Sequence, residues 1–222
     1  MALSVVIPAL DEGGRIEEAL ASASAPGVEV LVVDGGSRDD TADRARGRGA
    51  RVLVSPPGRA RQLDAGARAA GGDVLLFLHA DTRLAPGYDA AVTRAMADPA
   101  VAGGAFRFRF DRRSVALRVV EWGARLRVAL LRMPYGDQAI FVRRRVLEAL
   151  GGVPQVPIFE DLDLVRAIRR AGRLALLPLP ATTSARRYEA GGVLRTMLRN
   201  WVAAAAWLAG ADRARVAAWY GR

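Results

Sequence analysis

VLLFLHADT, residues Val74 to Thr82, is the stretch on which the reading of the fold turns. Five apolar residues in succession, Val74 to Leu78, describe a strand covered on both faces, because side chains pointing either way meet packing instead of water. The run stops at His79, Ala80, Asp81 and Thr82. At the carboxyl end of a central parallel strand these residues occupy the edge where an open α/β sheet binds its ligand. Asp81 is therefore a candidate for a metal or phosphate site. The competing reading is a cap for the turn or helix that follows.

Upstream the same arrangement recurs. Leu3 to Ile7 reads as a short strand ended by Pro8, followed by Asp11, Glu12 and a helix to about Ser24 with Ile16, Ala19, Leu20 and Ala23 on its buried side. Val28 to Val33 reads as a second strand, closed by Asp34, two glycines and Ser37. Asp34 and Ser37 either bind a nucleotide at the strand end or merely shape the turn. A third strand, Arg51 to Val54, precedes a helix to about Ala70 that carries Arg59 and Arg61 at its start. Cations there oppose the helix dipole, so the placement suits an anion gripped jointly with the free N–H groups. Four strands with intervening helices by residue 82 predict a mostly parallel α/β sheet.

No GxGxxG lies between the first strand and its helix, and the chain contains no lysine at all, which excludes a dinucleotide fingerprint and a Walker-type phosphate loop. All 33 basic residues are arginine and give a net charge of +10. Arginines such as Arg118, Arg125 and Arg132 are spread along helices rather than gathered in a groove-like block with interleaved aromatics, which argues against nucleic acid and leaves anionic small molecules or a membrane face. Cysteine is absent, so disulfides and thiolate metal sites are excluded. No export signal is read at the start, and Trp201 to Ala211 is too short for the roughly 20 residues of a membrane span. A cytoplasmic protein is expected, with peripheral contact to the inner membrane face and the oligomeric state left open. One domain over 1–222 is expected, with a nucleotide-binding half to 100, an acceptor-side half over 101–200 and a helical tail over 201–222.

Downstream, Ala85 to Ala97 reads as a helix carried by Tyr88, Val92 and Met96. Gly104 to Phe110 alternates phenylalanine with arginine, so the sheet is expected to become mixed. Ser114 to Leu131 reads as an amphipathic helix with Val115, Val119, Trp122, Leu126 and Leu130 on one side. It is a candidate for a membrane surface, but a helix laid over the sheet has the same pattern and is preferred. Asp137 and Gln138 enter a strand that ends near Val142, and Leu174 to Leu179 reads as the last strand. Glu160 and Asp161 open a helix to Ala171, as caps or as a general base.

The blocks SVVIPALDE, VVDGGSRDDT, GRARQLDAGA, FLHADT, YGDQAIFV and FEDLDL, in this order over residues 3 to about 200, resemble the family 2 glycosyltransferases and their short bacterial stand-alone subgroup. The resemblance implies a nucleotide-diphospho-sugar transferase (GT-A-like) fold and a nucleoside diphosphate sugar of UDP or GDP type. It also implies a divalent cation, Mn2+ or Mg2+, and inverting transfer to a small-molecule, lipid or glycan acceptor hydroxyl. Carried over, Pro8, Ala9, Asp11 and Glu12 would line the nucleotide pocket with Gln62, and Asp34 would bind the base. Asp81 would be the surviving acid of the DxD motif, and Asp161, beside Glu160, the catalytic base. Asp137, Gln138, Arg186 and Arg187 fall on the acceptor side. The departure is His79 where the first aspartate of DxD would stand, which bears on the metal: imidazole suits Mn2+ better than Mg2+. A nucleotidyltransferase or a non-catalytic nucleotide-sugar binder is the alternative.

Overall fold

The computed structural model describes residues 1–221. Its first half is a regular alternation: β1 (Leu3–Ala9), α1 (Ile16–Ala23), β2 (Val28–Asp34), α2 (Thr41–Gly47), β3 (Arg51–Val54), α3 (Arg59–Ala69) and β4 (Val74–Phe77). β1 lies between β2 and β4, parallel to both, and β3 flanks β2. The organising stretch is covered on both sides: Leu76 and Leu78 join one core with Ile7 and Ile16, while Leu75 and Phe77 join the other with Val6 and Leu63. Strand polarity brings the ends of β1, β2 and β4 to one edge of the sheet, and each acid singled out in the first half, Asp11, Glu12, Asp34 and Asp81, is the last residue of one of those strands or lies within four residues after it.

The second half adds β5 (Thr82–Leu84), α4 (Tyr88–Met96), β6 (Val101–Phe110), α5 (Val115–Leu131), a 3-10 turn Gly136–Gln138, β7 (Phe141–Arg143), α6 (Arg144–Ala149), α7 (Glu160–Ala171), β8 (Arg173–Thr183), α8 (Arg186–Gly191), α9 (Val193–Leu208) and α10 (Arg213–Tyr220). The eight strands form one sheet in the order β3-β2-β1-β4-β7-β6-β8-β5. β7 runs antiparallel to β4 and β6, and β5 antiparallel to β8, so the sheet is mixed as expected. At its crowded centre a side chain on Gly104 would clash with the Ala175 carbonyl and the Phe141 ring, and one on Gly103 with the Phe141 carbonyl, which is why two glycines interrupt β6.

Four expectations need correcting. Pro8 does not end β1, which continues to Ala9; β4 has already diverged beyond the pair Val6 and Phe77, so the missing proline N–H leaves no ladder bond unmade on that side. β8 extends to Thr183 despite Pro178 and Pro180, because the register with β6 shifts between Phe106 and Arg107 and absorbs them in a bulge. That long strand recruits β5, three residues the sequence presents as a turn. The apolar stripe of α5 does not lie on the sheet: α5 is seated by Leu117, Ala124 and Val128, whereas Val115, Val119, Trp122, Leu126 and Leu130 face solvent. The boundary expected at residue 200 falls inside α9. Among the described residues no helix is long and apolar enough to cross a membrane.

Candidate active site

The loops after β1 and β2 lock each other. Asp34, almost fully buried, accepts from the Gly36 and Ser37 backbone N–H groups, each at 3.1 Å, and from the Ser37 hydroxyl. That hydroxyl in turn accepts from Asp11 N at 2.9 Å, and Asp11 accepts from Arg38 N at 2.8 Å. Asp11 itself sits at φ 54, a left-handed conformation held by these bonds. Gln62 donates to the carbonyls of Ala9 at 2.7 Å and Val33 at 2.9 Å, pinning β1 to β2 from beneath. Its amide N–H groups are thus spent on the fold. Asp34 uses three of about four acceptor positions on the turn, leaving room for one more donor.

A cavity of about 160 Å3 lies beyond these loops and is lined by Arg59, His79, Asp81, Asp137, Asp161, Arg186 and Arg187, with aromatic walls from Tyr135 and Tyr188. Of the residues singled out in the sequence, Pro8, Ala9, Asp11, Glu12, Asp34, Ser37, Arg61, Gln62, Gln138 and Glu160 do not line it. Glu12 reaches it indirectly, through an ion pair with Arg186, whose guanidinium also stands 3.7 Å from Asp81. Arg186, expected on the acceptor side, therefore joins the β1 and β4 strand ends. Arg61 is exposed on the outer side of α3.

Glu160 and Asp161 part company at the start of α7. Glu160 is buried against Arg59. Because Arg59 stays 41% exposed, the pair contributes less than one sealed from water, but it ties α3 to α7 across the cavity floor. Burial works against the Arg59 cation, and Glu160 and Asp161 outweigh it, holding its pKa above the ordinary value. Asp161 turns into the cavity, its Oδ2 accepting from Gly136 N at 2.7 Å and its Oδ1 from Leu162 N at 2.9 Å. The turn into α7 passes through Phe159 at φ 67, a strained conformation for an aromatic residue directly beside the site. Asp163 is paired with Arg213 and so anchors α10.

Gln138 donates to Phe106 O at 2.9 Å and accepts from Arg127 at 3.1 Å and Tyr135 N at 3.2 Å, so it fixes the 3-10 turn on β6 and is not free for an acceptor. Asp137 behaves differently. One edge reaches the cavity, yet its Oδ1 is sealed and has no hydrogen-bond partner in the protein. Burial, with Asp161 and Asp81 adding to it and Arg127 opposing, raises its pKa from 3.8 to about 6. A carboxyl whose folded value is raised opposes folding once ionised, so the penalty is absent below pH 4, develops between pH 4 and 6 and is complete above. Asp137→Asn is accordingly expected to raise the melting temperature at pH 7.5, by up to about 3 kcal/mol of stability, and to change nothing near pH 4. Paired thermal melts at the two pH values check this.

His79 is driven the other way: burial first, and the Arg59 cation second, lower its pKa to about 3. It is a neutral imidazole, the form that ligates metals. Among the described residues no three His, Asp or Glu side chains converge as a self-sufficient metal cage. His79 and Asp81 both line the cavity, and their imidazole nitrogen and carboxylate oxygens are donor types that Mn2+ accepts alongside phosphate and water ligands. Tyr188, Asn200 and Tyr220 also line the cavity and are linked to one another, Asn200 donating to Tyr188 at 3.0 Å and accepting from Tyr220 at 2.6 Å. The sequence offers no local signal for them, since α8, α9 and α10 reach the site only by folding back over it.

A mostly parallel sheet with acids at its β1, β2 and β4 ends and a mixed second half defines the nucleotide-diphospho-sugar transferase (GT-A-like) class of fold. The family model described as glycosyl transferase family 2 matches residues 4–148, and the chain belongs to that family. An uncharacterized glycosyltransferase of Mycobacterium tuberculosis is 41% identical over 81 residues, 36% of this chain and 37% of that protein. Glucosyl-3-phosphoglycerate synthase of the same species is 37% identical over 92 residues, 36% of this chain and 28% of that one. The matches thus span 37% of one of these curated relatives and 28% of the other. The crystal structure of the M. tuberculosis synthase with Mn2+ and uridine-diphosphate-glucose is similar at 25% identity and a TM-score of 0.65, covering 90% of this chain and 78% of that one. A mannosyltransferase from Pyrobaculum calidifontis in complex with GDP-Man and Mn2+ shares the fold at 23% identity and a TM-score of 0.64, covering 81% and 56%.

Proposed function

We propose that the protein is an inverting glycosyltransferase that moves a sugar from a nucleoside diphosphate sugar to an acceptor hydroxyl. The observation that carries this reading is that His79 and Asp81, after β4, open into the same cavity as Asp161, at the start of α7. The cavity thus offers groups suited to a diphosphate beside a carboxylate that can accept a proton, and a single displacement uses both. Asp161 takes the proton of the acceptor hydroxyl, the acceptor oxygen bonds to the anomeric carbon from the side opposite the nucleotide, and the bond to the diphosphate oxygen breaks with its electron pair. The anomeric configuration inverts.

On this reading residues 1–100 hold the donor and the remainder up to about 200 receives the acceptor. Asp34 offers its remaining lone pair to the base, and Asp11 and Pro8 shape the pocket around it. Arg59 and Arg186 face the diphosphate. His79 and Asp81 would hold a divalent cation, which when bound supplies positive charge against the leaving group. Glu160 is a positioning residue that orients Arg59. A second assignment for the base is Asp137, supported by its unpartnered Oδ1 and raised pKa.

Calorimetric titration with UDP and with GDP, each with and without Mn2+, tests the donor assignment. Binding of at least one nucleotide, tightened by the metal, is expected. If neither binds under any condition, the donor reading falls. Binding without any turnover of the corresponding nucleotide sugars across an acceptor panel would favour a non-catalytic binder.

A further inference from the structure

We infer that the outer face formed by α5 and α9 docks on the surface of an anionic lipid bilayer. Each helix carries two apolar stripes. In α5 the residues that seat it, Leu117, Ala124 and Val128, lie about half a turn from Val119, Trp122 and Leu126, which are exposed. In α9, Thr196, Ala203 and Trp207 are buried, while Leu194, Leu198 and Trp201 lie on the opposite side in solvent. Trp122 is 63% exposed and Trp201 60%. A helix that has already satisfied its core has no folding reason to be apolar on the far side too, and two adjacent helices share this property. Their stripes border one groove, with Trp122 and Trp201 among its lining.

Charge selects the occupant. Residues 112–132 contain six arginines and one acid, and 193–208 contain two arginines and no acid. The acid, Glu121, is occupied by accepting from Phe110 N at 2.8 Å. Arg118, Arg125 and Arg195 are exposed, and none forms an ion pair among the described residues. Arg118 and Arg125 run along one flank of the α5 stripe. Tryptophans and leucines flanked by unpaired arginines are what an interfacial helix presents to acidic headgroups. A second copy of the chain on this face would set arginines against arginines across the two-fold axis, which opposes self-association. The groove is also lined by Tyr135 and Asp137 of the candidate site, so a docked molecule would open that site toward the bilayer.

The test needs neither donor nor transfer, so its outcome is separate from that of the catalytic reading. Flotation with phosphatidylcholine vesicles, with and without phosphatidylglycerol, is measured at low and high salt on the full chain. The protein is expected to float with the anionic vesicles at low salt and to be released by high salt. R118Q/R125Q/R195Q should weaken binding by about a hundredfold, at roughly fivefold for each arginine. W122S/W201S should abolish it with the melting temperature unchanged, because both side chains are exposed. Failure of the wild type to float, equal binding to neutral vesicles, or undiminished binding of either variant would overturn the inference. So would a dimer in light scattering that W122S/W201S dissolves, which would identify a second copy as the occupant.

Discussion

Asp161→Asn is expected to lower the transfer rate by about 10²- to 10⁴-fold, the usual cost of losing a general base, while nucleotide affinity stays near the wild-type value. The separation follows from where the residue sits. Asp161 lines the cavity from α7, whereas the loops that would hold the nucleotide are tied together by Asp34, Ser37, Asp11 and Gln62. The substitution costs the fold little. Asn keeps one carbonyl oxygen for Gly136 N or Leu162 N and loses the other bond, worth about 1 kcal/mol. A residue that only capped α7 would show that small loss of stability and an almost unchanged rate, since Asn caps as well as Asp. Single-turnover transfer from the nucleotide sugar, with a melt of the same preparation, distinguishes the two. A rate within about threefold of wild type would remove Asp161 from the chemistry. Asp137→Asn would then become the decisive variant, because Asp163 is committed to Arg213 and cannot take the role.

The second large effect is expected at Asp81. Asp81→Asn should weaken metal-dependent nucleotide binding by roughly ten- to a hundredfold, about 1.5–3 kcal/mol, because an amide oxygen lacks the charge of the carboxylate it replaces. In the absence of metal the same variant should bind as the wild type does, or slightly better, since the diphosphate then meets one negative charge fewer. Stability should change by no more than about 0.5 kcal/mol, because the nearest cation, Arg186, stands 3.7 Å away and is half in water. Calorimetry with and without Mn2+ gives all three readings. An unfolded D81N protein would return Asp81 to a structural role, and unaltered binding in Mn2+ would dismiss it as a ligand.

How far these roles were readable in advance depends on the range of the interactions behind them. Periodicity located β1 to β4 with α1, α3 and α4, and the buried faces of α1 and α4, because an alternating β/α chain buries each element against its sequence neighbours and the pattern is local. The same logic placed Asp34 and Asp81 at strand ends, and so the edge of the sheet that carries the site. It failed where a residue's surroundings come from distant segments. Gln62, Gln138 and Glu160 are polar side chains beside the right motifs, yet each is spent on a bond to a strand or helix 29 to 101 residues away, to Val33, Phe106 or Arg59. The partners of Arg186 were hidden for the same reason: α8 folds back to Glu12, 174 residues earlier, and brings its cation to the end of β1. The apolar period of α5 was correctly seen, but a helical stripe specifies a face and not what covers it. The amino-acid sequence alone therefore determined the class of fold and the sheet edge at which the acids of the candidate site stand, whereas the choice between free side chain and scaffold at each polar residue, and the exposure of the α5 and α9 stripes, belong to tertiary structure, because both depend on partners that only chain reversal supplies.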